Sequence, residues 1–313
     1  MGADVVVVGA GIAGVACARE LRAAGLDARV IDRGRVPGGR MAARTLWDRR
    51  VDLGASYFTV TDPGFDAVVD GWAARGLARR WTDTFTALGA GAPQSKPGPV
   101  RWGSTHGLRS LVEDLAADLA VERREVVALG EVDADAVVLA MPDPQAKRLV
   151  GDHPVADDLR REWEPVIVVA ARWTRRTWDG ASPTGRFHGA FVNDDPDVAW
   201  IADDGRRRGD DAPVLVAHST PALASRHLDD PSGAAPAALR AVQRLLDVGP
   251  PEDVHVHRWT FARPTGRREE PYALVDGDRP VGVCGDGWGG TPKVESAWLS
   301  GVRLGRALVA RLT

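Results

Sequence analysis

Residues 4–32 restrict the fold more than any other part of the chain. Asp4 to Val8 is a short β-branched run that reads as a buried strand. It runs into Gly9-Ala10-Gly11-Ile12-Ala13-Gly14, and from Ile12 to Ala24 the apolar spacing is helical, with Gly25 placed to end the helix. Ala28 to Ile31 predicts a second strand, closed by Asp32, 18 residues after Gly14. Strand, G-x-G-x-x-G, helix, strand and acid together form the pattern of a dinucleotide-binding βαβ unit. Gly9 permits the tight turn, Gly11 lets backbone approach a pyrophosphate, and Gly14 lets the helix pack closely on the strand. The helix N-terminus presents unpaired amides to phosphate, and Asp32 can accept hydrogen bonds from a ribose diol.

The following stretch selects among dinucleotides. Arg33-Gly34-Arg35-Val36-Pro37-Gly38-Gly39-Arg40-Met41 places a second glycine pair before an arginine, suited to another close backbone approach to phosphate. This stretch resembles the R-x-x-x-x-G-G-R segment of the FAD-dependent amine-oxidase superfamily. The resemblance implies FAD; the competing reading has Arg33 and Arg35 binding the 2′-phosphate of NADP. Val51-Asp52-Leu53-Gly54-Ala55-Ser56-Tyr57-Phe58-Thr59 is similar to a segment of a narrower group, the renalase-like NAD(P)/FAD-dependent oxidoreductases. Ser56 stands where that group has Gln. Gly282-Val283-Cys284-Gly285-Asp286 and the run from Trp288 to Gly301 resemble the same group's C-terminal motifs.

The resemblance implies that Gly9, Ala10, Gly11, Ile12, Ala13, Gly14, Asp32, Arg33, Gly38, Gly39, Arg40, Met41, Gly54, Ala55 and Ser56 surround FAD. It further implies that backbone near Val126 meets adenine, that Asp286, after Gly285, binds the ribityl chain, and that the Val294 amide meets flavin O2. Thr291 is a suitable N-cap and Pro292 a suitable N1 for a last helix whose apolar face includes Ala297, Trp298, Val302, Leu304, Leu308 and Leu312. Its N-terminal dipole, with Lys293, would stabilise negative charge at N1–C2=O of reduced flavin. The alternative for Lys293 is a solvated side chain. Trp288 is a candidate pocket wall or a core residue at a turn. His106, in a glycine-flanked loop, is a candidate ligand-facing group or an ordinary loop histidine.

The expected fold is α/β: a discontinuous Rossmann-type FAD domain (1–60, 98–155 and 272–313) and an α+β substrate domain (61–97 and 156–271) built on an antiparallel sheet. The predicted elements of the middle are a helix over Leu108–Leu119, strands over Glu122–Leu129, Asp135–Met141, Pro165–Thr174, Arg186–Val192, Val198–Ala202, Val214–Ser219 and Val254–Phe261, and helices over Ala222–His227 and Ala234–Asp247. Aspartates in Asp194-Asp195, Asp203–Asp211 and Asp229–Ser232 read as solvated turns rather than catalytic pairs.

Composition excludes other classes. Forty basic and forty-three acidic residues leave a net charge of −3, which gives no basic excess for nucleic acid. No apolar run reaches the roughly 18 residues of a membrane span. Two cysteines, Cys17 and Cys284, in apolar runs suggest buried thiols and a reducing compartment, so a cytoplasmic location is expected. His255 and His257 share a strand face, but no third ligand is apparent, and no metal is expected. No Cys or His sits at an obvious attachment position, so FAD is expected to be noncovalent.

The resemblance implies oxidation of isomeric dihydronicotinamides (dihydro forms of NAD(P)), with hydride passing to flavin N5 and O2 reoxidising the flavin to H2O2. In amine oxidases an aromatic wall stands two residues before the motif glutamate; here that position is Lys293, which favours an anionic donor. An amine or small-metabolite oxidase or desaturase, and a flavin-binding protein without turnover, are the competing readings.

Overall fold

The computed structural model describes residues 3–313. In chain order the first strands are β1 (Asp4–Val8), β2 (Asp27–Asp32), β3 (Ala43–Leu46), β4 (Arg49–Asp52), β5 (Ala78–Leu88), β6 (Gln94–Ser104), β7 (Val121–Arg123) and β8 (Ala136–Leu139). They are followed by β9 (Trp163–Arg172), β10 (Gly189–Val192), β11 (Val198–Asp203), β12 (Val214–Ser219), β13 (Asp253–Pro264), β14 (Ala273–Val275) and β15 (Val281–Val283). The helices are α1 (Ile12–Ala23), α2 (Pro63–Ala74), α3 (Arg109–Leu115), α4 (Asp143–Val150), α5 (Asp204–Arg208), α6 (Pro221–Arg226), α7 (Ala235–Leu246) and α8 (Val294–Leu312).

Two large sheets take every strand but β3 and β4, which pair with each other as an antiparallel hairpin. The first has the order β14-β15-β8-β1-β2-β7 and is parallel except at its β14–β15 edge. Parallel strands covered on both faces are continuously apolar; accordingly Val5–Val8 and Val137–Leu139 are buried on both sides. This is the Rossmann-like sheet that the glycine motif predicts. The second sheet has the order β13-β9-β12-β11-β10-β5-β6 and is antiparallel except for β10–β5, which pair in parallel. β6 runs on to Ser104, so the larger sheet extends past residue 98, where the sequence suggests a return to the nucleotide domain.

Close helix packing sets the nucleotide end. A Cβ on Gly14 would stand 2.0 Å from the Gly9 carbonyl oxygen, and one on Gly301 would stand 2.0 Å from that of Ala13. Glycine at these two positions is what lets α1 lie on β1 and α8 lie on α1. α1 ends where Gly25 takes φ +84°, a conformation unfavourable to side chains.

Several elements differ from the sequence expectation. The predicted strand over Glu122–Leu129 shrinks to β7, because β2 ends at Asp32 and leaves later residues without a partner. Val126 therefore sits in irregular chain beyond the strand. The last helix starts at Val294 rather than at Pro292. Lys293 is its extended N-cap (φ −151°), and the Thr291 carbonyl accepts a bond from Ser296 Oγ (2.6 Å) instead of opening the helix. Asp203 and Asp204 are not solvated: both are 0% exposed. Asp203 caps α5 by accepting from the Arg206 amide, and Asp204 pairs with Arg207 and Arg208 one turn on and with Arg49 from β4. Arg176 also pairs with Asp203, so both carboxylates have a counter-ion and the segment can be buried.

Candidate functional site

The β1–α1 turn is held by its own backbone. Gly9 takes φ +114°, donates its amide to the Ile31 carbonyl (2.8 Å), and leaves no room for a Cβ, which would lie 2.5 Å from the Ala140 oxygen. The Asp32 carboxylate accepts from the Ala10 amide (2.7 Å) and the Gly34 amide (2.6 Å), tying the end of β2 to both glycine loops. The Gly38 amide donates to the Ala10 carbonyl (2.9 Å), and a Cβ on Gly39 would stand 3.2 Å from Gly11 Cα. The second glycine pair thus lies directly against the first. Gly11 differs from its neighbours: a Cβ there meets nothing within 4 Å, because that side faces an open cleft. α1 starts at this point with no side-chain cap. An uncapped helix N-terminus beside an open glycine is a cradle that fits a pyrophosphate.

The cleft has a volume of about 1980 Å³. Pockets for one drug-sized ligand are roughly 300–1,000 Å³, so this cleft exceeds the usual single-ligand site. Gly9, Gly11, Ile12, Ala13, Asp32, Arg33, Gly38, Gly39, Arg40, Met41, Gly54, Ala55, Ser56, Val126, Gly285, Asp286, Lys293 and Val294 all line it. Ala10 and Gly14 lie behind its wall, one holding Asp32 and the other packing on Gly9.

Two of the expected side chains do not reach the cleft. Trp288 is 3% exposed and packs in the core beneath the parallel sheet, with the Arg268 guanidinium 3.9 Å over its ring. Arg268 is in turn fixed by buried Asp143 at 2.8 Å. His106 is exposed on the turn after β6, its amide donating to Ser104 Oγ (3.2 Å). Lys293 does reach the rim, as an exposed side chain at the N-terminus of α8. Motif residue Glu295 is buried and accepts from the Thr61 amide (2.6 Å), the Thr61 hydroxyl (2.6 Å) and the Asp62 amide (2.8 Å). It staples α8 to the start of α2.

The charge of the cleft is one-sided. Twelve of its lining residues are Arg or Lys and three are acidic, and two of the three acids are hydrogen-bonded. Asp286 makes a two-pronged pair with Arg40 (2.8 and 2.5 Å), Asp32 holds backbone amides, and Glu125 lies 3.9 Å from Arg33.

The end of the cleft against the larger sheet was not visible in the sequence. Tyr57, Phe191 and Trp200 form an aromatic corner, with Trp200 5.8 Å from Tyr57 and 5.0 Å from Phe191 between ring centres. Trp200 Nε1 donates to Ser56 Oγ (2.9 Å), so the serine that replaces Gln anchors this corner. Fully buried Arg207 donates to the Ser56 carbonyl (3.0 Å). Burial alone would push the Asp204 carboxyl up, but Arg207, Arg208 and Arg49 outweigh it and hold the group well below the usual carboxylate range. His218 and His257 also line the cleft. Burial, with Arg263 and Arg207 nearby, takes His218 down to about 3; burial, with Arg44 and His255, takes His257 to about 4. Both imidazoles are neutral at pH 7. Burial pushes the Cys284 thiol up to about 12 and raises Cys17 as well, so neither is a ready nucleophile. Among the described residues no three His, Cys, Asp or Glu side chains are placed to hold a metal ion, and no helix is long and apolar enough to cross a membrane.

Residues 7–71 match a family model described as an NAD(P)-binding Rossmann-like domain, and residues 77–308 match one described as flavin containing amine oxidoreductase. Solved structures share the fold over nearly the whole chain. One, from Exiguobacterium sp. 255-15 and provisionally named a protoporphyrinogen oxidase, superposes with TM-score 0.78 at 13% identity, covering 99% of each chain. A putrescine oxidase triple mutant gives 0.72 at 16% identity, again over 99% of each chain. Cyclohexylamine oxidase from Brevibacterium oxydans IH-35A gives 0.71 at 14% identity, over 100% of this chain and 99% of that one.

Proposed function

The chain belongs to the flavin-containing amine oxidoreductase family and is an FAD-dependent oxidoreductase, and from that premise we propose that it oxidises an anionic dihydronicotinamide-type donor, with O2 as the final acceptor. The observation that carries this reading is the balance of charge in the cleft. Twelve cationic side chains line it against three carboxylates, of which Asp32 and Asp286 are hydrogen-bonded and Glu125 is exposed beside Arg33. A donor carrying phosphates is drawn to such a surface, and a protonated amine is repelled by its excess of cations.

Each part of the chain has an assigned task. The uncapped α1 N-terminus and Gly11 would hold the pyrophosphate, Asp32 would meet the ribose, and Arg40 with Asp286 would hold the far end of the coenzyme. The N-terminus of α8, with the Val294 amide and Lys293, would offer partial positive charge to the anion of reduced flavin. FAD, when bound, supplies the hydride-accepting centre and the reaction with O2 that yields H2O2. A dihydronicotinamide loses hydride by aromatisation and needs no general base, which suits a cleft whose two imidazoles, His218 and His257, are half-buried and neutral. FAD is held noncovalently in this scheme: neither cysteine lines the cleft. Two buried free thiols fit a reducing, cytoplasmic setting.

The aromatic corner of Tyr57, Phe191 and Trp200 favours a second reading, oxidation of a neutral amine held against flat walls. Putrescine oxidase and cyclohexylamine oxidase, which share the fold, act on the amines in their names. Anaerobic bleaching of the bound flavin separates the readings. Isomeric dihydro-NAD(P) should bleach it within the first turnover and amines should not; bleaching by amines alone overturns the proposal. A flavin-binding protein without turnover would bleach with neither and make no peroxide in air.

A further inference from the structure

We propose that Arg101 is the substrate's anion receptor, a buried guanidinium at the aromatic end of the cleft that binds a phosphate or carboxylate oxygen carried by the molecule being oxidised. The assignment takes its setting from the proposed function but does not depend on which donor is correct.

Four arginines are buried among the described residues, and their surroundings differ. Arg207 pairs with Asp204 and Asp52, and Arg208 pairs with the same two carboxylates. Arg161 spends its three nitrogens on the carbonyls of Thr265, Gly266 and Gly287, as a structural pin. Arg101 is 5% exposed and forms no ion pair. Its Nη1 donates to the Asp83 carbonyl, its Nε is buried without a partner, and the guanidinium stands 4.6 Å over the Phe85 ring. A guanidinium has five N–H donors, so most of its capacity is unspent. Burying such a charge without a counter-ion is costly. The cost is offset when an anion arrives, and Arg101 lines the cleft through which one can arrive.

The neighbourhood defines the rest of the ligand. Tyr57, 5.2 Å from Phe85, and Trp200, 4.8 Å from Phe85, continue the aromatic surface beside the guanidinium. A flat ring lying against these residues places a substituent oxygen at Arg101. Behind the guanidinium, a Cβ on Gly98 would stand 2.7 Å from Nη2, so the Pro97-Gly98-Pro99 segment of β6 closes over it with no space to spare. The ligand class is therefore a flat ring with an anionic oxygen group.

The test uses holoenzyme with two probes, inorganic pyrophosphate and benzoate, followed by flavin absorbance and tryptophan emission. Wild type should bind at least one probe. R101Q should lose at least about tenfold in affinity, as expected for a charge-assisted contact. R101K, which keeps the charge but not the fork, should lose less. G98A covers the case in which R101Q does not fold, because its added methyl meets only the end of the guanidinium; it should weaken binding several-fold. In turnover, the KM for isomeric dihydro-NADP should rise more in these variants than that for dihydronicotinamide riboside, which has no phosphate. Binding of benzoate alone would keep the Arg101 assignment and count against a dinucleotide donor. No binding to wild type by either probe, or equal binding by wild type, R101K and G98A, would overturn the assignment whichever donor bleaches the flavin.

Discussion

Replacing Gly11 by Ala separates the coenzyme's requirements from those of the fold. An added Cβ at Gly11 meets no atom within 4 Å, and the residue sits at φ −75°, ψ 172°, where any L-residue is comfortable. The apoprotein should therefore keep its stability or gain about 0.5 kcal/mol from a less flexible unfolded chain. The methyl group occupies the space into which a pyrophosphate must come to reach the uncapped amides of α1. Displacing two such amide–phosphate contacts, at about 1.5 kcal/mol each, costs about 3 kcal/mol, or roughly a hundredfold in Kd for FAD. Gly14→Ala is the contrasting control. Its Cβ would lie 2.0 Å from the Gly9 oxygen and 2.9 Å from Ala140 Cβ, so it should destabilise apoprotein by about 3 kcal/mol and lower its Tm by roughly 6 °C. Thermal melts of apoprotein and FAD titrations by fluorescence quenching give both quantities for each variant. If Gly11→Ala binds FAD within threefold of wild type, the pyrophosphate does not sit at this turn and the placement of the coenzyme is wrong.

Stability should depend on pH in two stages. Burial takes His218 to about 3 and His188 and His257 to about 4, from an ordinary 6.5. The unfolded chain gains these protons below pH 6.5 and the folded chain does not, so stability is full above that value and falls toward pH 4. The slope is at most about 1.4 kcal/mol per pH unit for each imidazole, less where cleft water reaches it. A second loss begins below about pH 4, where the contribution of ionised Asp204, whose carboxyl is held low by its arginines, disappears. Urea midpoints from pH 8 to 3.5 test both stages; a flat profile between 6.5 and 4.5 contradicts the first. Ser56→Gln, which restores the residue of the renalase-like group, should crowd Trp200 off its serine anchor. It should cost about 1–3 kcal/mol and change tryptophan emission. Glu295→Ala strands two amides and should cost about 3 kcal/mol in a urea melt, whereas Glu295→Gln, still an acceptor, should cost about 1 kcal/mol and leave flavin reduction within threefold. A hundredfold slower reduction in Glu295→Gln would show that the glutamate does chemistry rather than stapling two helices.

The two ends of the cleft were unequally legible in the sequence, for a physical reason. At the coenzyme end the determinants are consecutive. A turn that brings backbone against phosphate needs glycine at fixed offsets, so Gly9, Gly11, Gly14, Gly38 and Gly39 carry their geometry in their spacing. At the substrate end, proximity is made by strand pairing. Arg101 comes from β6, Phe191 from β10, Trp200 from β11, His218 from β12 and His257 from β13, and no local pattern relates them. His106 and Trp288 show the converse: glycine neighbours and motif membership suggested a site, while the backbone directs one to solvent and the other into the core beneath Arg268. Asp203 and Asp204 were misleading because charge density suggests solvent, where Asp210 and Asp211 of the same segment do lie. The relevant signal was spacing: Asp204 stands three and four residues before Arg207 and Arg208, which places all three on one helical face. That self-neutralised turn can be buried, and once buried it holds Ser56 through Arg207 and, through Ser56, the aromatic corner. The geometry of the substrate end thus rests on a salt-bridged helix of five residues that reads, in isolation, as a surface loop.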